Sequence, residues 1–202
     1  MMQKIRGFHG TRSDLVDSIL ATGLRPSRDH DEWLGRGSYY FLEGLEDAWS
    51  SARDWARVQA WDKRARRYRE ADFSVIEFEI AVDTDRILDL RTPDHARRFH
   101  QVRDAWETRH YRRRRPGLWR PTEDRYDTVI LNHLKQEDDL AAIIAQFFIQ
   151  LTVKERHWQR NSRIPNVTVL CLSDPLTPST TVEVVKVHQV PFDSVMQLEG
   201  PL

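Results

Sequence analysis

The sequence predicts a mixed α+β fold, a single domain over residues 1–202, and three observations lead to it. Apolar residues recur at helical spacing in the first sixty positions. A stretch near residue 75 alternates with period two, and three β-rich pieces close the chain. Strands at both ends with helices near the front argue against a regular βαβ array. Composition fits a globular chain: 40% of the 202 residues are hydrophobic and 31% charged. No run approaches the ~20 apolar residues of a spanning helix. The 31 basic and 31 acidic side chains cancel, so wholesale attraction to polyanions is not expected. The opening MMQKIRGFHG lacks the apolar stretch of a signal peptide, and one cysteine, Cys171, rules out an internal disulfide framework. A reducing, cytoplasmic setting is the expectation.

Taken in order, a short strand ends at Phe8-His9-Gly10-Thr11. Residues 11–14 then open a helix in the manner of a capping box. Leu15, Val16, Ile19 and Leu20 form its apolar face, Gly23 is a left-handed stop, and Leu24 folds back onto Ile19. A second helix is expected over residues 45–61, where Leu45, Ala48, Trp49, Ala52, Trp55 and Ala56 recur three and four apart. Residues 73–82 read as a strand with Ile76, Phe78, Ile80 and Val82 on one face and Glu77 and Glu79 on the other. Residues 87–90 give a short strand, and Ala96, Phe99, Val102 and Trp106 a third helix. YDTVIL at 126–131 reads as a strand, and Leu140, Ile143, Ile144, Phe147, Phe148 and Leu151 as an amphipathic helix. Strands over 167–172, 182–190 and 194–198 follow.

Several chemistries are absent from the pattern. There is no GxxxxGK[ST] loop, no GxSxG elbow and no HExxH helix. Cys171 lies in an apolar strand pattern and reads as a buried, inert thiol. The eight histidines never gather at metal-ligand spacing, so no metal site is expected. Six arginines fall within residues 109–120, RHYRRRRPGLWR, interleaved with Tyr111, Leu118 and Trp119. Such a run, centred on Arg112 to Arg115, serves either as a solvated loop or as a phosphate-contacting patch with stacking rings.

The informative part is the amino-terminal quarter. His9 can donate to a hydroxyl while Gly10 presents its backbone. In WLGRGSYYF, Gly35 and Gly37 allow close backbone approach and the tyrosines offer a stacking surface. Each piece alone also fits a turn, a cap or a core ring.

FHGT, a helix ending at Gly23-Leu24, WLGRGSYYF and an alanine- and tryptophan-rich helix, in this order, resemble the ADP-ribosyltransferase fold. The resemblance is closest to the branch shared by poly(ADP-ribose) polymerases and diphtheria toxin, whose signature is His–Tyr–Glu, and it covers roughly residues 5–60. It implies a split β-sheet core flanked by helices, with the two motifs on adjacent strands clamping NAD. His9 would then hydrogen-bond a ribose hydroxyl, and Gly10 would hold the nicotinamide carboxamide through its backbone. Thr11 stands at a small-donor position, and Gly35, Gly37 and Tyr39 match GxGxY. Tyr39 would stack on nicotinamide, with Tyr40 as its core neighbour and a one-residue ambiguity between them. The family's carboxylate opens a late strand after a substrate-binding loop, and Glu183 fits that description. If the strand at 167–172 is the equivalent one, its start carries Asn166 instead; Glu77 and Glu79 are the fallback carboxylates.

The implied activity is NAD-dependent mono-ADP-ribosyl transfer to protein or nucleic acid, as in a bacterial toxin or phage-defence effector with an antitoxin partner. The chemistry explains the residue types: breaking the ribose–nicotinamide bond builds an oxocarbenium-like centre, which a carboxylate stabilises while aromatic walls exclude water. A catalytically inactive module binding NAD, ADP-ribose or a protein is the alternative from another class, and plain NAD hydrolysis is a third.

Overall fold

The computed structural model describes residues 1–27, 32–59, 61–62, 64, 67–68, 72–111, 123–158 and 160–191. The arginine run from 112 to 120 and the strand expected at 194–198 lie outside them.

The chain opens with β1 (Met2–Arg12), a short 3-10 turn (Ser13–Leu15) and α1 (Val16–Thr22). β1 runs straight through Thr11 and Arg12, which pair with Ser74 and Phe73, so the expected capping box does not form. Leu15 occupies the N-cap without a side-chain bond. Gly23, at φ 75°, does end α1, and its N–H donates to the Ile19 carbonyl at 2.8 Å. Ile19 and Leu24 pack on the core, whereas Leu15 and Leu20 stay about half exposed.

β2 (Gly37–Leu42) leads to α2 (Ala48–Gln59), shorter than expected because Trp61 belongs to a small separate hairpin of β3 (Trp61–Asp62) and β4 (Arg67–Tyr68). β5 (Phe73–Asp83) follows, then β6 (Ile87–Asp89), α3 (Pro93–Tyr111), α4 (Glu123–Glu137), β7 (Ala142–Phe147), α5 (Val153–His157), β8 (Val167–Ser173) and β9 (Thr181–Val190). Seven strands form one sheet in the order β6-β7-β8-β2-β1-β5-β9. Only β6 and β7 run parallel among these neighbours, and α3 and α4 lie in their connection. The fold is therefore mixed α+β.

Each sheet face has its own core. Phe8, Phe41, Val75, Ile143 and Val169 point to the face covered by α2, α3 and α4. Tyr40, Ile76, Phe78, Ile80, Ile144 and Leu170 point to the face covered by α1.

Two expected elements are exchanged. Residues 126–131 belong to a helix, α4, in which Thr128, Leu131, Leu134 and Lys135 are buried at helical spacing. Residues 142–147 form strand β7, not a helix, with Ile143 facing one core and Ile144 the other. A strand covered on both faces reads as an unbroken apolar run, which mimics a helix over so short a window.

Candidate functional site at the seam between β1 and β2

The two motifs lie on adjacent strands, and those strands barely pair. β1 and β2 share a single register pair, Phe8 with Phe41. The long ladder between β1 and β5 carries the bonds Ser13 N–H to Asp72 O and Thr84 N–H to Met1 O at its two ends. Antiparallel bonding alternates, so the odd-numbered residues of β1 bond to β5. The N–H and C=O of Phe8 and Gly10 are thereby turned toward β2, Phe8 onto Phe41 and Gly10 into the seam beyond the last register pair.

The His9 side chain crosses that seam, its Nδ1 lying 2.9 Å from the Tyr39 carbonyl oxygen. A carbonyl only accepts, so Nδ1 carries the proton, and burial holds the imidazole pKa below its ordinary value. The ring is therefore neutral, and its free Nε2 is an acceptor. A ligand hydroxyl would donate to His9, the reverse of the sequence expectation.

Gly10 has two roles. A Cβ there would lie 1.7 Å from the Ala52 carbonyl oxygen, so the missing side chain admits the backbone of α2 rather than a ligand. Its polar groups nonetheless face the seam. Thr11 is buried and paired with Ser74.

Tyr39 and Tyr40 face opposite ways. Tyr40 is buried on the α1 side, edge-on to Phe78 at 5.2 Å, as the expected core aromatic. Tyr39 turns to the α2–α4 side, where its hydroxyl accepts from Leu34 N–H at 3.0 Å and donates to the Gly35 carbonyl at 2.5 Å. Burial raises both phenol pKa values, so both stay protonated. Gly35 (φ 77°) and Gly37 are needed for packing: Cβ atoms there would meet Asn132 Oδ1 at 2.3 Å and the Leu172 carbonyl oxygen at 2.0 Å.

The loop before Tyr39 is held by residues that the sequence reading missed. Along one face of α4, Thr128 donates to the Glu32 carbonyl at 2.8 Å and Asn132 accepts from Arg36 N–H at 2.8 Å. Lys135 donates to the Arg36 carbonyl at 2.6 Å and lies 3.1 Å from Cys171 Sγ. Their spacing of four and three residues is a helical stripe, visible only if YDTVILNHLK is read as a helix.

The carboxylates are placed less favourably. Glu183 stands opposite Glu79, which stands opposite Arg6, so it lies two strands over from β1 and three residues along from His9. Strand spacing puts the two α-carbons roughly 14 Å apart, and alternation sends Glu183 to the α2 face and His9 to the α1 face. The structure therefore keeps Glu183 from His9, and the same alternation puts the His9 side chain and the Tyr39 ring on opposite faces of the sheet, joined only through the Tyr39 carbonyl. β8 is the strand beside Tyr39, and it is preceded by Asn166, whose side chain accepts from Ile149 N–H at 2.8 Å and donates to the Ile149 carbonyl at 3.0 Å. Glu77, opposite Phe8, is the nearest of the carboxylates considered. It is buried: Arg6 Nε lies at 2.6 Å and His188 Nε2 at 3.5 Å, and Arg6 above all holds its pKa below the ordinary range.

Among the described residues no group of three or more His, Cys, Asp or Glu side chains gathers in a metal-binding arrangement, and no helix is long and apolar enough to cross a membrane. The chain matches no protein-family model and no curated protein.

Proposed function

We propose that the chain binds NAD at the β1–β2 seam and acts as an NAD-dependent ADP-ribosyltransferase on a macromolecular acceptor. The observation that carries this reading is the pair of Gly10 backbone groups, one donor and one acceptor, turned into an unpaired stretch between the HGT and GRGSYY strands. A primary carboxamide needs that pair of partners. His9 Nε2 suits a ribose hydroxyl on the α1 side of the seam, and the Tyr39 ring borders the seam from the α2 side.

In this reading the protein's work is to hold the carboxamide, accept the ribose hydroxyl at His9 Nε2 and exclude water through Trp33, Trp55 and Phe41, whose rings contact one another in sequence. Glu77 is nearer the seam in register than Glu183, and both carboxylates lie on the Tyr39 side of the sheet, so Glu77 is the first candidate to stabilise charge on the ribose from that side. Toxin or defence biology, with an antitoxin partner, remains part of the proposal through the family resemblance.

One observation favours the second reading, a module that binds NAD or ADP-ribose without cleaving it. Asn166, not a carboxylate, precedes the strand beside Tyr39, and its amide oxygen and nitrogen both bond to the Ile149 backbone. The two readings separate in one experiment: NAD binding by calorimetry together with nicotinamide release, with and without cell lysate. Lysate-dependent release establishes the transferase, and lysate-independent release means hydrolysis. Binding without release establishes the module; no NAD binding refutes both.

A further inference from the structure

A cavity of about 320 Å³ opens where the parallel strands β6 and β7 end, between α3, α4 and the loop before β2. The carboxyl ends of parallel strands are where open α/β sheets present ligands, because the strands stop and the helices splay there. Trp33, Phe99, Phe147 and Leu131 wall the cavity, and Arg91 and Asp127 line it as its charged groups. Its size is at the lower end for small-molecule sites, enough for a nucleoside and too little for a dinucleotide. It also adjoins the seam, since Leu34 in its wall donates its N–H to the Tyr39 hydroxyl.

We infer that this cavity is a second ligand pocket for a planar heterocyclic ring of nucleobase size, the ring of a nucleic-acid acceptor. The acceptor role rests on the seam being the NAD site; the pocket itself does not. Aromatic walls favour a flat π-system. One guanidinium and one carboxylate, both exposed to solvent, offset each other in charge and suit a ring with both acceptor and donor edges. Arg91 is already oriented: its Nε and Nη2 grip Asp89 at 2.8 and 2.6 Å, leaving three of its five N–H donors for other partners. Asp127 is an exposed carboxylate whose oxygens can each accept more than one bond. Enzymes that act on a base take it out of the stack into a pocket of this kind, with apolar stacking walls and a few polar groups at the edge.

The test is calorimetric titration of the full chain with adenosine, guanosine, cytidine and uridine, each with and without saturating NAD. At least one nucleoside should bind at millimolar or lower concentration, with a Kd unchanged by NAD, and Asp127→Asn should weaken it at least tenfold. Arg91→Gln serves as the second variant, with the thermal midpoint of each confirming that it folds. Absence of nucleoside binding by wild-type protein, competition between nucleoside and NAD, or binding of free phenylalanine or tryptophan in place of nucleosides overturns the pocket assignment. Nucleoside binding by a chain that binds no NAD keeps the pocket and removes the seam reading.

Discussion

Replacing Gly10 by alanine puts one methyl group where α2 already sits. The new Cβ would be 1.7 Å from the Ala52 carbonyl oxygen, 2.7 Å from its carbon and 2.9 Å from Ala56 N, all backbone atoms that no rotamer change can move. Reaching ordinary contact requires α2 to recede by more than about 1 Å, and a gap of that size forfeits a quarter to a half of each dispersion contact. α2 packs through Ala48, Ala52 and Ala56, all almost fully buried, so the loss runs along three turns. Overpacking of this kind costs about 1–3 kcal/mol, and displaced backbone puts Gly10→Ala near the upper end. At about 2–4 °C per kcal/mol for a chain of this length, the melting midpoint should fall by about 6–12 °C. Thermal melts followed by circular dichroism measure it. A midpoint within about 1 °C of wild type would show that α2 is not seated on Gly10, and the derivation of the seam geometry would fail with it.

Other substitutions probe the same arrangement. Asn132→Ala removes the acceptor for Arg36 N–H and should cost about 1 kcal/mol. If that loss is felt by Tyr39, NAD affinity falls ~fivefold, which calorimetry reads directly. Tyr39→Phe keeps the ring and deletes the hydroxyl shared by Leu34 and Gly35, so it should lower the melting midpoint while retaining most NAD binding; equal melting curves would contradict the hydrogen-bond assignment. His9 gives a pH dependence whose sign is fixed. Its folded pKa lies below the unfolded value of about 6.5, so its contribution is complete above that value and is lost as pH falls through it toward the folded pKa. Between pH 7 and 5 this one group should cost at most about 1.4 kcal/mol per pH unit, a slope that His9→Gln should abolish in melts at pH 7, 6 and 5. For the carboxylates, Glu77→Gln should slow nicotinamide release more than Glu183→Gln does, and the opposite order would return the role to Glu183.

The legible parts of the fold were those where local pattern and burial agree. β5 alternates because one face meets the α1-side core while Glu77 and Glu79 meet basic partners, and α1 stops at Gly23 because a left-handed residue is needed there. β7 and α4 were exchanged for a physical reason. β7 is buried on both faces and lost its period, whereas α4 carries a β-branched stretch, Thr128-Val129-Ile130, whose helical register shows in the burial of Leu131 and Leu134 further along and in polar partners on a distant loop. The exchange hid Asn132 and Lys135, which hold the Arg36 backbone in place. The HGT and GRGSYY motifs did locate adjacent strands. What no local pattern contained was the division of labour at Gly10, the proton on His9 Nδ1 and the distance to Glu183. Each depends on strand order and ladder phase.

The most direct test of the central claim is calorimetric titration of NAD into wild-type protein and into Tyr39→Ala. Binding at the seam predicts a saturable one-to-one isotherm for wild type and a Kd weakened at least ~tenfold by the loss of the ring. No heat of binding at millimolar NAD, or equal affinity in the two proteins, would contradict it.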